Sequence, residues 1–358
     1  MFYNDHMTYL LRVNLDINDK NIADSVRFKA ALNSFRFVSK ANNKVVILSH
    51  KGRPQGVDSR LSLKSSATFL SKALRKNVIF INHFDFAKIA KQIKQSPNGK
   101  VFLLENLRFI PGEAKASKNL AKSLAKLGDR FINDDFPTSH RKNASNFELP
   151  KLIPSSIGPN FKMELRQLSK LMANPRKPLV LIIGGAKISD KLGVLKNFIR
   201  KADNILLGGA PANTLLKARG VNIGKSLYDK KVLAQIKPFV NNEKVITPMD
   251  WKIGNNAILD IGPHSIGLYT AAIKEAGTVV WNGPMGKFEH KSFSTGTKAL
   301  YKAILAQKRA NILIGGGDTL AAISPLGKPG KNTFVSSGGG AMLTYLSGEK
   351  LPALEAIR

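Results

Sequence analysis

The chain has 358 residues, which is long for a single hydrophobic core and suits two domains. It contains no cysteine, which excludes disulfides, thiolate-bound metals and thiol catalysis and fits a reducing compartment. The formal net charge is +32, and most lysines are spread along predicted helices, as on a solvated surface. Nucleic-acid binding is therefore expected only as a weak secondary effect of charge.

The chain begins with MFYNDHMTYLL, which has acidic and amide side chains where a signal peptide has a basic start. The apolar runs along the chain are shorter than the ~20 residues needed to cross a bilayer. The sequence therefore predicts a soluble, cytoplasmic protein with no membrane partner.

Short apolar runs alternate with amphipathic helical patterns along most of the chain. This alternation predicts an α/β protein with parallel sheets and helices on both faces. In the second half the predicted strands are PLVLIIGG, NILLGG, KVIT, TVVWNG, NILIGGG and TFVSSGGG. In the first half they are Tyr9–Leu15, Lys44–Ser49, Asn77–Ile81, Lys100–Glu105 and Arg130–Asp134.

A segment rich in Pro, Ser and Gly, LPKLIPSSIGPN, suggests a domain edge. The seam between two domains is predicted between Pro150 and Pro178. The amphipathic stretch FKMELRQLSKLMAN within it predicts a helix, ended by Pro175, that connects the two domains.

Five predicted strands of the second half end in glycine-rich turns, most of them followed by a helix start. In a parallel sheet such turns share the carboxyl edge, where ligands bind and where glycine lets phosphate approach the backbone. Tight strand-to-helix packing explains one such turn equally well, but five on one edge predict a nucleotide or phosphate site. The turns are Gly184-Gly185, Gly208-Gly209, Gly283 to Gly286, Gly315 to Gly317 and Gly338 to Gly340.

Three charged residues follow these turns: Asp190 and Lys191 after the first, and Asp318 after the fourth. An aspartate at a helix start is more often a simple N-cap. Two aspartates on a phosphate-binding edge also suit Mg²⁺, which takes few carboxylates and completes its shell with phosphate and water. In that case Lys191 neutralises phosphate charge.

The strand ends of the first half are basic instead. A single arginine of this kind is more often part of a weak surface ion pair. Several at successive strand ends indicate a pocket for a small polyanion, since the arginine fork suits carboxylates and phosphates. Together the two halves predict phosphoryl transfer. The basic residues are Arg27, His50, Lys51, Arg53, Arg108, His140 and Arg141.

Seven ordered motifs together resemble the phosphoglycerate kinase family, and the resemblance runs from about Tyr9 to the C-terminus. They are SHKGRP, LLENLRF, SHRKNAS, GGAKISDK, VVWNGPMGKFE, IGGGDTLAA and SSGGGAMLTYLSGEKLP. The resemblance implies two Rossmann-like domains joined by a connecting helix and a hinge. It implies an acid-substrate domain at 1–158, a connecting helix at 159–174, a Mg-nucleotide domain at 175–343 and a tail at 344–358 that returns to the first domain.

The implied reaction is reversible transfer between ATP and the carboxylate of 3-phosphoglycerate, giving ADP and 1,3-bisphosphoglycerate, in glycolysis. A monomer that closes about its hinge would carry it out, with Mg²⁺ bound to the nucleotide. Arg27 and Lys191 would stabilise the transferring phosphoryl group. Asp318 would hold the metal, with Asp190 as a second candidate.

The resemblance also assigns the binding residues. The acid would contact Asn14, Leu15, Asp16, Arg27, His50, Lys51, Gly52, Arg53, Arg108 and Arg141. The nucleotide would contact Gly185, Lys187, Lys191, Gly208, Gly286, Glu289, Gly316, Gly317, Asp318 and Thr319.

The chain departs from the family pattern at several positions. The family strand motif is Arg-Val-Asp-Phe-Asn, whereas this chain reads RVNLD, so that Asn14 and Asp16 are exchanged. Residues two apart on a strand share a face, so both groups still point the same way with donor and acceptor swapped. Pro137, Asn143 and Pro211 are further departures.

Two alternatives follow from these departures and from the charge. One is a diverged, nucleotide-binding paralogue with weak or no kinase activity, against which the presence of Arg27, Lys191 and Asp318 argues. The other is a nucleic-acid-binding protein, which would show steep salt dependence of binding.

Overall fold

The computed structural model describes residues 7–17, 22, 25–39 and 42–357. The chain divides into two compact units: the first comprises residues 1–165 and 350–358, and the second residues 166–349. The first six residues of the N-terminal stretch, on which the expectation of no signal peptide rests, lie outside the described part. Within the described part, no helix is both long enough and apolar enough to cross a membrane.

The first unit is built on a six-stranded parallel sheet. Its strands are β1 (Thr8–Arg12), β2 (Lys44–Leu48), β3 (Val78–Ile81), β4 (Val101–Leu104), β5 (Arg130–Asn133) and β6 (Ser155–Ile157). Their order across the sheet is β3-β4-β2-β1-β5-β6. The register places Leu10 of β1 beside Val46 of β2 and Phe131 of β5. The carboxyl ends of these three strands therefore lie side by side at one edge.

Helices cover both faces of this sheet. They are α1 (Val26–Val38), α2 (Lys64–Leu74), α3 (Phe86–Gln95), α4 (Pro111–Ala114) and α5 (Lys118–Ala125). A further helix, α6 (Pro159–Ala173), begins in this unit and continues into the second, whose residues start at Arg166. Along β1, Tyr9 and Leu11 belong to the core with α1 and α2, whereas Leu10 belongs to the core with α3 and α5. A strand that is buried on both faces must be apolar at consecutive positions, which explains the unbroken run YLL.

Two details of the first sheet differ from the prediction. Strand β1 ends at Arg12 rather than Leu15, since the Leu15 amide donates to the Ser49 hydroxyl instead of continuing the ladder. The stretch interpreted as a domain edge contains β6, which pairs with β5. Three residues with two serines carry too little apolar pattern to reveal such a short edge strand.

The second unit has its own six-stranded parallel sheet and a separate two-stranded ribbon. The strands are β7 (Leu179–Ile183), β8 (Asn204–Leu207), β9 (Val245–Ile246), β10 (Trp251–Gly254), β11 (Ala257–Ile261), β12 (Thr278–Asn282), β13 (Asn311–Gly315) and β14 (Thr333–Ser336). The order in the large sheet is β14-β13-β12-β7-β8-β9. The prediction of an α/β protein with two parallel sheets is confirmed.

The remaining helices pack on this second sheet, except for the last. They are α7 (Leu192–Phe198), α8 (Gly209–Ala218), α9 (Leu233–Ile236), α10 (Pro263–Glu275), α11 (Thr295–Ala306), α12 (Gly317–Ile323), α13 (Gly339–Leu346) and α14 (Pro352–Glu355). Val180 and Ile182 of β7 pack in one core with Tyr269 of α10 and Leu300 of α11. Helix α14 belongs to the first unit, where the Ala353 amide donates to the carbonyl of Ser139 (3.1 Å).

The ribbon of β10 and β11 is antiparallel, and neither of its strands was among those predicted from the sequence. Asn255 and Asn256 join the two strands with φ of 50° and 59°. Two consecutive residues with positive φ form the tight turn whose twist matches that of a hairpin, and asparagine tolerates this conformation. The sequence GNNA at 254–257 is the local pattern that indicates this turn.

Candidate active site

A buried ion pair forms the base of the carboxyl edge of the first sheet. Arg12 and Asp135 are both fully buried, with Arg12 Nη1 3.1 Å from Asp135 Oδ2. Burial alone would raise the pKa of Asp135, but the Arg12 guanidinium and hydrogen bonds from neighbouring side chains hold that pKa at about 2. Asp135 is therefore ionised near neutral pH and neutralises Arg12. Neither residue was predicted from the sequence to belong to a site.

His50 is held in one tautomer by this pair. Arg12 Nη2 donates to His50 Nδ1 at 2.8 Å, so Nδ1 accepts and the ring proton is on Nε2. Burial, followed by the charge of Arg12, lowers the pKa of His50 well below its usual value. The predicted substrate residue His50 is thus a neutral hydrogen-bond donor at physiological pH.

Asn14 and Asp16 connect the buried pair to the loop after β2. Asn14 Nδ2 donates to Asp135 Oδ1 (2.9 Å), and the Asp16 amide donates to Asn14 Oδ1 (3.1 Å). Asp16 Oδ1 in turn accepts from the Gly52 amide (2.9 Å). Arg27, from the first turn of α1, donates to the Asp16 carbonyl at 2.5 Å. The exchanged pair of the sequence motif is therefore part of one continuous hydrogen-bonded path.

The remaining arginines form what we call the basic rim: Arg27, Arg53, Arg108 and Arg141. Burial, with added repulsion from Arg12 and Arg141, lowers the pKa of Arg108 to about 10. Burial and the charge of Arg53 lower the pKa of Arg141. Arg108 is held in place by donating to the Gly52 carbonyl. Arg53, Arg108 and Arg141 are thus close enough for neighbouring guanidinium groups to repel one another, and a bound anion would relieve that repulsion.

The other predicted substrate residues of this unit contribute backbone or packing. Leu15 is buried, and its amide donates to Ser49 Oγ at 2.9 Å. Lys51 is also buried, and its amide and carbonyl both bond the side chain of Asn106. Pro137 lies in a short turn over Phe136–Thr138, so its missing N–H interrupts no helix ladder.

Two histidines in this unit make its stability depend on pH. Burial and then the charge of Arg141 lower the pKa of His140 to about 4, and the pKa of His50 is lowered as well. As pH falls below about 6.5, these histidines become protonated in the unfolded chain but stay neutral in the folded chain. The free energy of unfolding therefore decreases as the pH is lowered. The expected slope of the unfolding free energy is about 1.4 kcal/mol per pH unit for each histidine.

Melting temperatures of wild type and His140→Gln between pH 7 and 5 check this expectation. The variant should lose less stability on acidification than wild type, whereas the exposed control His264→Gln should follow wild type. Burial raises the pKa of Asp260 in the second unit to about 6. Through this group acidification stabilises the folded chain, which is opposite to the effect of the two histidines. The difference between His140→Gln and wild type is therefore the readout, and equal slopes would refute the assignment.

In the second unit, glycine-rich turns follow five neighbouring strands, β14, β13, β12, β7 and β8, at their carboxyl ends. The turns after β7, β8 and β12 are joined by backbone hydrogen bonds. The Gly185 amide donates to Pro284 (2.7 Å), the Gly209 amide to Met285 (3.0 Å), and the Ala210 amide to Gly185 (2.9 Å). Together they form a continuous backbone surface, as the glycine pattern predicts.

Gly209 shows why these turns need glycine. Its φ is +54°, and a Cβ added there would lie 2.6 Å from the Gly185 carbonyl oxygen. No side chain fits at that distance, so the close approach of the two turns depends on bare backbone.

Lys191 lies beneath this glycine surface. It is 8% exposed, and its Nζ donates to the Gly184 carbonyl at 2.6 Å. Burial lowers the pKa of Lys191 to about 8, while the carboxylates of Asp190 and Asp318 act in the opposite direction. The lysine is therefore a desolvated cation near neutral pH, close to two acidic groups.

Asp190 and Asp318 are both exposed, on different turns, and share Lys191 as a neighbour. Among the described residues, no three His, Asp or Glu side chains gather as they would around a metal held by protein alone. Two exposed carboxylates instead fit Mg²⁺ that arrives with a nucleotide, because that ion keeps phosphate and water ligands.

A pocket of about 410 Å³ opens next to these turns. This volume lies within the usual range for a small-molecule site. The apolar wall of this pocket was not predicted from the sequence, because its members lie on β11, on α8 and on separate loops without a shared motif. The lining residues are Gly185, Ala186, Gly209, Ala210, Asn213, Lys225, Leu227, Ala257, Ile258, Leu259, Pro284, Gly286, Lys287, Phe288, Glu289 and Asp318.

Not every predicted nucleotide residue lines that pocket. Thr319 is fully buried, accepts from the Gly283 amide (2.7 Å) and donates to the Gly315 carbonyl (3.0 Å). Its side chain thus joins two turns. Lys187 is exposed between the first turn and α7, and Gly208, Gly316 and Gly317 lie on the same carboxyl edge.

The sequence matches the phosphoglycerate kinase family over residues 5–349. The chain belongs to the phosphoglycerate kinase family. A phosphoglycerate kinase from Fusobacterium nucleatum is 40% identical over 380 residues, covering 97% of this chain and 96% of the relative. One from Pelotomaculum thermopropionicum is 38% identical over 375 residues, covering 97% and 95%.

Solved phosphoglycerate kinase structures have the same fold. The structure from Pyrococcus horikoshii matches with a TM-score of 0.85 at 31% identity, covering 99% of this chain and 97% of the other. That from Coxiella burnetii matches with a TM-score of 0.82 at 34% identity, covering 99% and 96%. The chain is accordingly a phosphotransferase (EC 2.7.2.3) that exchanges a phosphoryl group between ATP and the carboxylate of 3-phosphoglycerate, a reaction of glycolysis.

Proposed function

We propose that the basic rim of the first unit binds 3-phosphoglycerate or 1,3-bisphosphoglycerate. The observation that carries this assignment is the anchoring of Arg27 on the Asp16 carbonyl and of Arg108 on the Gly52 carbonyl, which brings two cations to one hydrogen-bonded patch in need of counter-charge. Burial first, and then the charge of neighbouring arginines, lowers the pKa of Arg108 and Arg141. A phosphate and a carboxylate on one small molecule supply that counter-charge, and the arginine fork binds both groups with two parallel hydrogen bonds. His50 contributes a neutral donor beside them.

The glycine edge of the second unit is the proposed site for ATP or ADP. Bare backbone at Gly317, where an added Cβ would meet nothing within 4 Å, leaves room for phosphate groups, and the helix that begins there presents free amides. The apolar wall of the adjacent pocket suits the adenine ring, and Glu289 on its rim is suited to the ribose hydroxyls. Bound Mg²⁺ would supply further neutralisation of phosphate charge, held by Asp318 and Asp190.

The protein's own chemistry in this proposal is charge placement. Phosphoryl transfer requires in-line positioning and stabilisation of charge on the transferring group more than covalent help. Arg27 from the acid side and Lys191 from the nucleotide side are the two cations proposed to provide it. Each is anchored to a backbone carbonyl, which fixes its position before the substrates arrive.

The two substrates are assigned to different units, so transfer requires hinge closure to bring them together and to exclude water. Residues 159–174 and the tail at 344–358 are proposed to connect the acid and nucleotide domains through this motion. We further propose that the enzyme acts as a monomer in the cytoplasm, where glycolytic substrates are available. Binding of nucleic acid or membrane is not part of this function.

Replacing Asp16 by asparagine tests the acid-site assignment. Asparagine retains an oxygen that can accept from the Gly52 amide but removes a half-exposed negative charge that lies 3.9 Å from Arg27. The KM for 3-phosphoglycerate is expected to fall about threefold to fivefold, the effect of removing one exposed charge, while the KM for Mg-ATP stays unchanged. Steady-state kinetics with each substrate varied in turn measures both.

The matched control is Asp129→Asn, at the opposite end of β5, where the carboxylate accepts from the Thr8 amide. It should leave both KM values unchanged. An unchanged KM for 3-phosphoglycerate in Asp16→Asn would show that the acid does not bind near Asp16 and would contradict the assignment.

A further inference from the structure

Behind the basic rim lies a buried polar cluster, which we call the Arg12 cluster: Arg12, Asn14, His50, Asp135 and Thr138. Its members range from 0% to 7% exposed. Asp135 is its only carboxylate, and it accepts from three other members. Arg12 Nη1 lies 3.1 Å from Oδ2, Thr138 Oγ1 donates to Oδ2 at 2.7 Å, and Asn14 Nδ2 donates to Oδ1 at 2.9 Å.

Both ends of the Asn14 amide have fixed roles. The nitrogen donates to Asp135, and the oxygen accepts from the Asp16 amide at 3.1 Å. An aspartate at position 14 keeps the acceptor role but loses the donor role. It also places two buried carboxylates about 2.9 Å apart, the distance of the present hydrogen bond, and two such groups cannot both be ionised.

A second buried carboxylate, Glu113, does not replace Asp135. Arg12 Nε donates to Ser145 Oγ (3.1 Å), and that hydroxyl donates to Glu113 Oε1 (2.5 Å). The Ser145 amide donates to Glu113 Oε2 (3.0 Å). Both oxygens of Glu113 thus accept hydrogen bonds from Ser145, whose hydroxyl lies between Glu113 and the Arg12 guanidinium. Direct pairing of Arg12 with a carboxylate therefore depends on Asp135.

We propose that Asp135 is a positioning residue of the acid-substrate site and that asparagine at position 14 is required by aspartate at position 135. The asparagine at position 14 is then explained by the buried carboxylate at position 135 and does not by itself indicate a loss of function. This inference rests on the proposed function in that His50, Asn14 and Asp16 are taken to face the acid substrate.

Asp135 acts on the site along two routes. Through Arg12 it fixes the tautomer of His50, since the guanidinium that it neutralises donates to His50 Nδ1. Through Asn14 and Asp16 it fixes the loop after β2, because the hydrogen-bonded path ends on the Gly52 amide. Removing the carboxylate therefore disturbs two substrate-binding segments that are distant in sequence.

The test is a double-mutant cycle with Asn14→Asp, Asp135→Asn and the swapped double variant, which keeps one carboxylate and one amide in the pair. Melting temperature and the KM values for 3-phosphoglycerate and Mg-ATP are measured for all four proteins. In each single variant the KM for 3-phosphoglycerate is expected to rise roughly tenfold or more and the melting temperature to fall. The KM for Mg-ATP is expected to stay unchanged. The double variant is expected to lose less than the sum of the two single changes, because one carboxylate and one amide again form the pair, although Arg12 no longer faces a carboxylate at position 135.

Additive effects of the two single changes, in KM or in melting temperature, would overturn the coupling. Lower melting temperatures with an unchanged KM for 3-phosphoglycerate would overturn the positioning role. If wild type lacks turnover that depends on the acid, the proposed function fails, and the melting temperatures still report the coupling. If Asp135→Asn does not fold, Asn14→Asp alone must be less stable than the swapped double variant for the inference to stand.

Discussion

Replacing Lys191 by alanine is expected to lower kcat by about 10² to 10³, comparable to the loss of one preorganised donor to a developing negative charge. The residue is buried, is anchored on the Gly184 carbonyl and lies near both candidate metal carboxylates. A cation placed in this way costs no reorganisation when charge builds up on the transferring phosphoryl group. Steady-state rates with both substrates saturating measure the loss.

The pH profile separates the charge of Lys191 from its shape. Because its pKa is lowered to about 8, the free enzyme loses this cation as pH rises through that value. The kcat/KM for Mg-ATP should therefore fall above about pH 8 in wild type. Lys191→Arg, whose side chain does not deprotonate, should lack that alkaline limb whatever its absolute rate.

Lys196→Ala is the matched control, since Lys196 is exposed on the same helix, α7. It should retain wild-type kcat and the alkaline limb. A Lys191→Ala variant that folds, binds Mg-ATP and turns over at the wild-type rate would contradict the role assigned to Lys191.

Replacing Arg27 by alanine is expected to lower kcat by a similar factor of about 10² to 10³. Arg27 is the rim arginine that comes from a helix rather than a strand end, and its guanidinium is fixed on the Asp16 carbonyl. Its side chain is 36% exposed, so it is available to a substrate bound at the rim. The expected signature is a loss in kcat larger than the rise in KM for 3-phosphoglycerate, because the interaction strengthens in the transition state.

The control for this variant is Arg36→Ala, an exposed arginine in the last turn of the same helix. It removes the same charge from α1 at a position outside the site, and its rates should match wild type. If Arg27→Ala changed only the KM for 3-phosphoglycerate, Arg27 would bind the ground state and have no special role in transfer.

Much of the fold follows from local sequence. The runs YLL, KVVIL and LVLII are apolar at consecutive positions, which is the pattern of parallel strands covered on both faces. Glycine turns after five strands of the second half place the nucleotide edge, because parallel strands bring their carboxyl ends together. What escaped prediction was short or irregular: β6 with its two serines, and the hairpin of β10 and β11.

The site was less predictable for a physical reason. In the sequence, Arg12 is a charged residue that interrupts an apolar strand, and Asp135 is one of two aspartates that follow another strand. Their pairing is a contact between distant parts of the chain, which no local pattern encodes. The apolar pocket wall at Leu227 and Phe288 comes from separate loops and was missed for the same reason.

This chain is expected to transfer a phosphoryl group from nucleotide to 3-phosphoglycerate despite the exchange of Asn14 and Asp16. The most direct measurement is ADP formation from Mg-ATP by wild type, with and without 3-phosphoglycerate. We expect rapid ADP formation that requires the acid. Intact binding of Mg-ATP without acid-dependent ADP formation would contradict it and would identify the chain as a nucleotide-binding member of the family that has lost the reaction.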